Sequence, residues 1–237
     1  MDGIVDTLRL GWNALLLKDE AYEEMRIDPN PVVKGLILIV VVGVAIALLG
    51  LVGDVLEWAS TPNLSEIKNT VLFYMQRMPW WEELSRDPDA TRFFNQMWDW
   101  NWNMATWFGP SPGAAAVNIV LTPLALVIRW LIYGLLAYVF ARWLGGTGDL
   151  SATLGVLALA VAPQALNVLR IFPFVELGSL VSIWGILCAY VGLKTAHKLY
   201  WYRAAWATLL PFILVIVVGI LAGCFSSAIF AALVKGG

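Results

Sequence analysis

Residues 36–50 read LILIVVVGVAIALLG and contain no charged side chain. The uncharged run extends from Gly35 to Gly53 and is bounded by Lys34 and Asp54. A helix needs about 20 apolar residues to cross the hydrocarbon core of a bilayer. The stretch therefore predicts a membrane-spanning helix, and the rest of the chain is expected to fold at least partly in lipid.

The composition of the whole chain also indicates a membrane environment. Its 237 residues are 60% apolar and only 14% charged, whereas soluble domains are about half apolar and a quarter charged. So few charges cannot cover the protein with polar surface, and part of it must contact a lipid bilayer. The formal net charge of −2 offers no basic surface for nucleic acid, so no nucleic-acid partner is expected.

The apolar runs predict an all-α polytopic membrane protein, a five-helix transmembrane bundle. Four runs besides the first are long enough to cross a bilayer. The predicted spans cover residues 33–55, 117–140, 150–170, 175–193 and 206–233. A cytoplasmic amphipathic segment (1–32) precedes them, a Trp-rich extracytoplasmic loop (56–113) follows the first, and residues 114–233 form a four-helix region.

The distribution of basic residues predicts a cytoplasmic N-terminus and an extracytoplasmic C-terminus. Short cytoplasmic segments of membrane proteins carry an excess of Lys and Arg. With the N-terminus inside, the short outer segments hold only Arg170 and Lys235. The short inner segments then hold Arg9, Lys18, Arg26, Lys34, Arg142, Lys194, Lys198 and Arg203.

The N-terminal segment is predicted to form an amphipathic helix. Apolar residues at steps of three and four share one face, and polar residues occupy the other. These are Val5, Leu8, Trp12 and Leu15 on the apolar face, and Asp6, Arg9 and Asn13 on the polar face. Such a helix lies on the inner membrane surface or binds a partner, or it packs against the protein's own spans; both interpretations stay open.

Small residues at regular steps predict the faces through which the spans pack. Lipid tails are as apolar as leucine, so helices in a bilayer associate where small side chains let their backbones approach. The fourth span carries Gly178, Ser182, Gly185 and Ala189, and the fifth carries Gly219, Gly223 and Ser227. These faces can join spans within one chain or join two copies, and packing within the chain is favoured.

Four polar residues in or beside spans two to four are predicted to form one intramembrane cluster. They are Arg129, Gln164, Asn167 and Glu176, all in the outer half of the bundle. An arginine inside a bilayer is costly, so Arg129 is expected to have a partner. We favour a structural role that holds the register of the three spans; the alternative is a functional polar pocket.

Motifs typical of enzymes and metal proteins are missing from the sequence. It has one histidine and no CxxC or HExxH pattern, so neither a metal nor a cofactor is expected. The glycine-rich GGTGD (145–149) follows a span rather than a strand, and is predicted to end one helix and cap the next through Asp149 or Ser151. His197 is predicted to anchor a helix end at the inner membrane surface. No catalytic residue is predicted.

The loop between the first two spans is unusually rich in tryptophan. Its indoles include Trp80, Trp81, Trp98, Trp100, Trp102 and Trp107. Because an indole combines an apolar body with an N–H donor, it favours the boundary between bilayer and water. We expect short helices on the outer leaflet, in which Phe94, Trp102 and either Met97 or Trp98 share a face. Contact with lipid is favoured over a docking face for a partner protein or a flat ligand.

The C-terminal half resembles a known family. GGTGDLSATLGVLALAVAPQALNVL (145–169) and IWGILCAYVGLKTAHKLYWYRA (183–204) look like the YIP-domain family of five-span membrane proteins. The similar positions are Gly145, Gly146, Ala162, Pro163, Trp184, Gly185, Gly192, Leu193, Lys194 and His197. The resemblance implies a cytosolic N-terminus, five spans and no enzymatic activity, and eukaryotic members act in vesicle trafficking with Rab-type GTPases. An Asp-Leu-Tyr-Gly-Pro motif is missing before the first span and the Trp-rich loop is long, which favours a prokaryotic-type member in the plasma membrane.

These features predict a non-enzymatic integral membrane protein. We expect a scaffold, a trafficking-type adaptor or an accessory subunit of a membrane complex. Its expected partners are the lipid bilayer and other membrane proteins or a second copy of the chain. The alternative is a small transporter or channel that uses the cluster around Arg129.

Overall fold

The computed structural model describes residues 2–60, 64–108, 112–172, 175 and 177–235. These residues are mostly helical, and no strand occurs among them. The helices are α1 (Asp2–Leu15), α2 (Asp19–Ile27), α3 (Pro31–Ser60), α4 (Leu64–Met75), α5 (Pro79–Arg86), α6 (Pro88–Phe108), α7 (Pro112–Trp143), α8 (Leu150–Ala158), α9 (Gly178–His197) and α10 (Trp201–Lys235). A 3-10 segment, Leu159–Ile171, continues α8.

Five helical stretches of this part of the chain are long and apolar enough to cross a membrane. They are Pro31–Leu56, Val117–Trp143, Leu150–Leu169, Gly178–His197 and Trp201–Phe225. The predicted all-α, five-span fold is therefore confirmed. We call the end of the bundle at which α7 ends, α8 begins and α9 ends the His197 end. The opposite end, where α4 to α6 connect α3 to α7, is the loop end.

The third span changes its winding half-way. It begins as α8 and continues as a 3-10 helix, which contains Pro163. Proline has no N–H to donate and its ring crowds the preceding turn of an α-helix. Runs of 3-10 helix longer than three or four residues are uncommon, so this segment is a distinctive feature of the bundle.

The first span packs against α7, α8 and the 3-10 segment. Two glycines allow its backbone to approach the third span closely. A Cβ added to Gly35 would lie 2.6 Å from the Cβ of Ala158, and one added to Gly155 would lie 2.4 Å from Pro31. Such distances exclude a side chain at either position unless the helices separate.

Helix α1 packs against the protein's own spans, as one of the two sequence interpretations proposed. It contacts α3 and the 3-10 segment and buries Thr7, Leu10 and Ala14. The turn to α2 passes through Leu17, whose φ of 56° lies in the left-handed region. The apolar face identified in the sequence does not make this contact, because Val5 and Trp12 are each 64% exposed.

The loop between α3 and α7 is helical, as predicted. Helices α5 and α6 pack against each other. Lys68 of α4 forms an ion pair with Asp99 of α6, with Nζ 2.6 Å from Oδ1. The loop therefore has internal structure of its own.

Candidate functional site

The predicted intramembrane cluster is partly assembled. Asn167 Nδ2 donates a hydrogen bond of 2.7 Å to Gln164 Oε1, and Gln164 lines the same cavity as Arg129. Arg129 is exposed, and within the described part of the chain it forms no hydrogen bond or ion pair that would neutralise it. Glu176, the partner expected from the sequence, lies outside the described residues.

The cavity between these residues is small. It has a volume of about 60 Å³, and its polar lining comes from Arg129, Tyr133, Gln164 and Ser182. Sites for small organic molecules usually measure about 300–1,000 Å³, whereas a water molecule occupies about 30 Å³ in the liquid. The cavity therefore suits one or two waters that hydrogen-bond to these side chains. Gln164 also lines a larger, open cleft of about 370 Å³ with Thr122 and Asn167.

Two aromatic residues beside Arg129 form tethers that the sequence reasoning missed. Trp130 Nε1 donates to the carbonyl oxygen of Leu154 over 2.9 Å. Tyr133 Oη donates to the carbonyl oxygen of Thr208 over 3.1 Å. These bonds connect α7 to α8 and to α10. The only signal in the sequence was the presence of two aromatic donors within one turn of an intramembrane arginine.

The small-residue face of α9 is used within the chain. A Cβ added to Gly185 would lie 3.3 Å from the carbonyl oxygen of Ala160, and one added to Gly192 would lie 3.3 Å from that of Val156. Ser182 and Ala189 line the cavity on the same side. Gly178, at the start of this helix, has no atom within 4 Å of an added Cβ.

The small-residue face of α10 differs from that of α9 in its close contacts. A Cβ added to Gly219 or Gly223 would meet no atom within 4 Å. The side chain of Ser227 lies outside the described residues. Neither glycine is a point of close approach to a described helix, and the packing role of this face stays a prediction.

The glycine-rich turn at the His197 end has a structural role. Gly145 has a φ of 91°, and Asp149 caps α8 by accepting from the backbone N–H of Ala152 over 2.7 Å, as predicted. His197 is only 1% exposed, so the predicted surface anchor is in fact a buried side chain. Its Nε2 lies 2.9 Å from the hydroxyl oxygen of Thr153, and its carbonyl oxygen accepts from the Thr147 N–H over 3.2 Å.

A charged groove lies between α2 and the end of α9. Its lining includes Asp19, Glu20, Glu23, Glu24, Lys194 and Lys198, and its volume is about 750 Å³. The hydrogen bond from Arg26 holds the pKa of Glu23 below its usual value. The sequence gave no indication of this groove, because the lysines lie far along the chain from the acidic helix.

Between them, helices α5 and α6 at the loop end contain an aromatic cluster. Its members are Trp80, Trp81, Phe94, Trp98 and Trp102. Phe94 and Trp98 stack with their rings 5.8 Å apart and 16° from parallel, and Trp81 meets the edge of Phe94 at 5.1 Å. The indole nitrogen of Trp98 is buried without a partner among the described residues.

A second face of α6 is open. It presents Phe93, Met97, Trp100 and Met104, and all four are exposed. Of the two candidates for the shared face with Phe94 and Trp102, Trp98 occupies it, and Met97 lies on this open face. The side chain of Trp107 lies outside the described residues.

Residues 12–223 match the Yip1 domain. The chain belongs to the Yip1-domain family. No curated protein and no solved structure matches the chain. The family and the five apolar helices together make this Yip1-domain protein a multi-pass integral membrane protein.

Most of the features described above lie within the range that matches the Yip1 domain. This range covers the glycine-rich turn and His197, which are bonded to each other at the His197 end, and the 3-10 segment of the third span. Most of α1 precedes the matched range. The Yip1 family consists of membrane proteins, is consistent with a role related to membrane trafficking, and is not known as an enzymatic family.

Proposed function

We propose that this Yip1-domain chain is a non-enzymatic scaffold that acts as an adaptor or accessory subunit of a membrane complex. We place it in the plasma membrane of a prokaryotic cell, with its N-terminus in the cytoplasm. In this proposal the bundle is the anchor and the outer helices carry the docking surface. The observation that carries the proposal is the open apolar face of α6, formed by Phe93, Met97, Trp100 and Met104.

The aromatic cluster supports this proposal because it holds in place the helix that carries the open face. The ring contacts between Trp81, Phe94 and Trp98 hold α5 against α6. Pairs of aromatic rings contribute about 0.5–1.5 kcal/mol beyond the area they bury. A face presented by such a unit is ordered before a partner arrives, which lowers the entropic cost of binding.

The spacing of the open face suits a helical partner. Its four residues follow steps of four, three and four, so they form one narrow stripe along α6. Tryptophan and methionine are among the residues enriched at protein interfaces. An amphipathic helix of another membrane protein can pack along such a stripe, as in helix-in-groove recognition.

The proposal is tested by photocrosslinking in the native membrane. A photoreactive amino acid replaces Trp100 in one variant and Gln96, which is exposed on the polar side of the same helix, in the control. We expect Trp100 to give a discrete protein adduct that mass spectrometry identifies, and Gln96 to give none. Adducts with lipid alone at Trp100, or the same protein adducts from both positions, would contradict the proposal.

A small transporter or channel around Arg129 is the weaker candidate. The supporting observation is the open cleft of about 370 Å³ beside Gln164 and Asn167. Against it stands the small volume of the cavity that Arg129 itself lines, about 60 Å³.

A further inference from the structure

Helix α1 has three distinct faces. One packs on the bundle through Thr7, Leu10 and Ala14, all of which are buried. A second is apolar and exposed, and consists of Ile4, Val5, Leu8 and Trp12. The third is polar and carries Asp6, Arg9 and Asn13. A helix on the protein surface in water would be expected to bury its apolar face, and α1 does not.

The position of α1 along the bundle explains this arrangement. A Cβ added to Gly11 would lie 2.9 Å from Leu38, which is about 10 Å into α3 at 1.5 Å per residue. At its C-terminal end, the carbonyl oxygen of Leu15 accepts a hydrogen bond of 2.8 Å from Trp184 Nε1. Trp184 lies about 20 Å before the end of α9 on the same scale. Helix α1 is therefore beside the spans, and not beyond their ends.

Further bonds hold α1 at this depth. Both Tyr22 Oη and Cys188 Sγ donate to the carbonyl oxygen of Ala14, over 3.1 Å and 3.5 Å. The Ala14 carbonyl also accepts from the backbone N–H of Leu17 over 2.9 Å, and Trp184 supplies a donor to the Leu15 carbonyl at the end of the helix, where intrahelical partners run out. Satisfying such carbonyls is essential in a medium without water.

The polar face of α1 also fits a position within one leaflet. Arg9 Nη2 lies 2.8 Å from Glu24 of α2 and 3.8 Å from Asp6. Lys18 Nζ donates to Asn13 Oδ1 over 3.3 Å. The charges of α1 are thus turned towards α2 and towards the charged groove at the His197 end. The exposed apolar face points away from them, as in an amphipathic helix whose apolar face contacts acyl chains.

We propose that α1 is embedded in the bilayer leaflet at the His197 end, with its exposed apolar face against lipid acyl chains. The first span exposes Val33, Leu36 and Val40 to lipid at about the depth of Leu38, which α1 contacts. The chain therefore displaces more lipid from this leaflet than its five spans alone would do.

Spin-label accessibility in lipid nanodiscs of phosphatidylcholine with phosphatidylglycerol tests the proposal. Single cysteines replace Val5 and Trp12 in a Cys224→Ala background, and Cys188 is left in place because it is buried. Val40→Cys, on the lipid-facing side of α3, is the reference for lipid. Glu20→Cys, on the exposed side of α2, is the reference for water.

Labels at Val5 and Trp12 are expected to behave like the label at Val40. Molecular oxygen, which concentrates in lipid, should relax them strongly, and a water-soluble nickel chelate should relax them several-fold less than the label at Glu20. A nickel accessibility at Val5 and Trp12 equal to that at Glu20 would overturn the proposal. All four positions are exposed, so the substitutions leave the packed core of the protein intact.

Discussion

Trp184 connects two parts of the chain that are far apart in sequence with a single hydrogen bond. Its indole N–H satisfies the carbonyl oxygen of Leu15 at the end of α1. Leaving a buried acceptor without a partner costs about 1–3 kcal/mol. The residue belongs to the family resemblance noted in the sequence, and the structure gives that resemblance a physical meaning.

We expect Trp184→Phe to destabilise the protein by about 1–3 kcal/mol, because phenylalanine keeps the ring but loses the donor. The measurement is thermal unfolding in detergent. Trp206→Phe is the matched control, since Trp206 is exposed. Equal unfolding temperatures for the two variants would contradict the role assigned to Trp184.

Asp28 makes the stability of the turn before α3 depend on pH. Burial alone would raise the pKa of its carboxyl group, but hydrogen bonds from the Lys34 ammonium and the Asn30 N–H outweigh burial and lower the pKa. A carboxyl group with a lowered folded-state pKa stabilises the fold above its unfolded pKa of about 3.9. This stabilisation is lost as the pH falls through the lower folded-state pKa.

Asp28→Asn is therefore expected to lower stability at neutral pH by roughly 1 kcal/mol. The difference from the unmodified chain should persist down to about pH 4 and shrink below it, since protonation then removes the same charge. Thermal unfolding across this range measures it. A constant difference at all pH values for Asp28→Asn would refute the interpretation.

Arg129 and Gln164 line one cavity, so their contributions to stability should be coupled. We expect Arg129→Leu and Gln164→Leu each to lower the unfolding temperature in detergent. Neighbours that share a cavity typically show a coupling energy of about 0.5–3 kcal/mol in a double-mutant cycle. Unchanged stability of both variants, together with a selective loss of transport or binding, would favour the functional pocket instead.

At the scale of the elements, the sequence predicted which helices form but not which of their faces are buried. For α1, the period of Val5, Leu8 and Trp12 identified the apolar face, yet the buried face consists of Thr7, Leu10 and Ala14. Helices in lipid pack through small residues and turn large apolar ones outward, so hydrophobicity alone points to the wrong side. The face of α9 was identifiable because glycine at regular steps is a direct signal of close packing.

Helices α5 and α6 offer a test of packing between two elements. Trp98→Ala should loosen α5 from α6, because Trp98 stacks on Phe94 and continues the cluster to Trp102. Trypsin cleavage after Arg86, between the two helices, should become several-fold faster, since local opening precedes proteolysis. Trp100→Ala, on the open face, should cleave at the rate of the unmodified chain. Equal acceleration in both variants would mean that the cluster does not hold the helices together.

At the scale of the whole molecule, the apolar runs of the sequence predicted the five-span fold. The sequence did not predict which groups are bonded around Arg129. Run length and charge are local properties that a sequence displays directly. The tethers of Trp130 and Tyr133 reach carbonyls at Leu154 and Thr208, and such pairings depend on how helices rotate against one another. The charged groove between α2 and α9 is hidden in the sequence for the same reason.

The orientation in the membrane is a prediction for the whole molecule. With the N-terminus inside and five spans, a phosphatase active only outside the cytoplasm should be active when fused after Gly237. A reporter active only in the cytoplasm should be active when fused before Met1. A silent phosphatase at the C-terminus, with the fusion protein present in the membrane, would contradict the orientation.

The 3-10 segment of the third span has a consequence for membrane thickness. A 3-10 helix rises about 2.0 Å per residue, against 1.5 Å for an α-helix, so Leu159–Ile171 is about 6 Å longer than an α-helix of the same residues would be. The third span therefore reaches towards the loop end with fewer residues than α3 or α7 contain. With α8, the third span measures about 40 Å, against about 33 Å if all of Leu150–Ile171 were α-helical. Since the hydrocarbon core is about 30 Å thick, the winding of this one segment carries its end at Ile171 farther beyond the core.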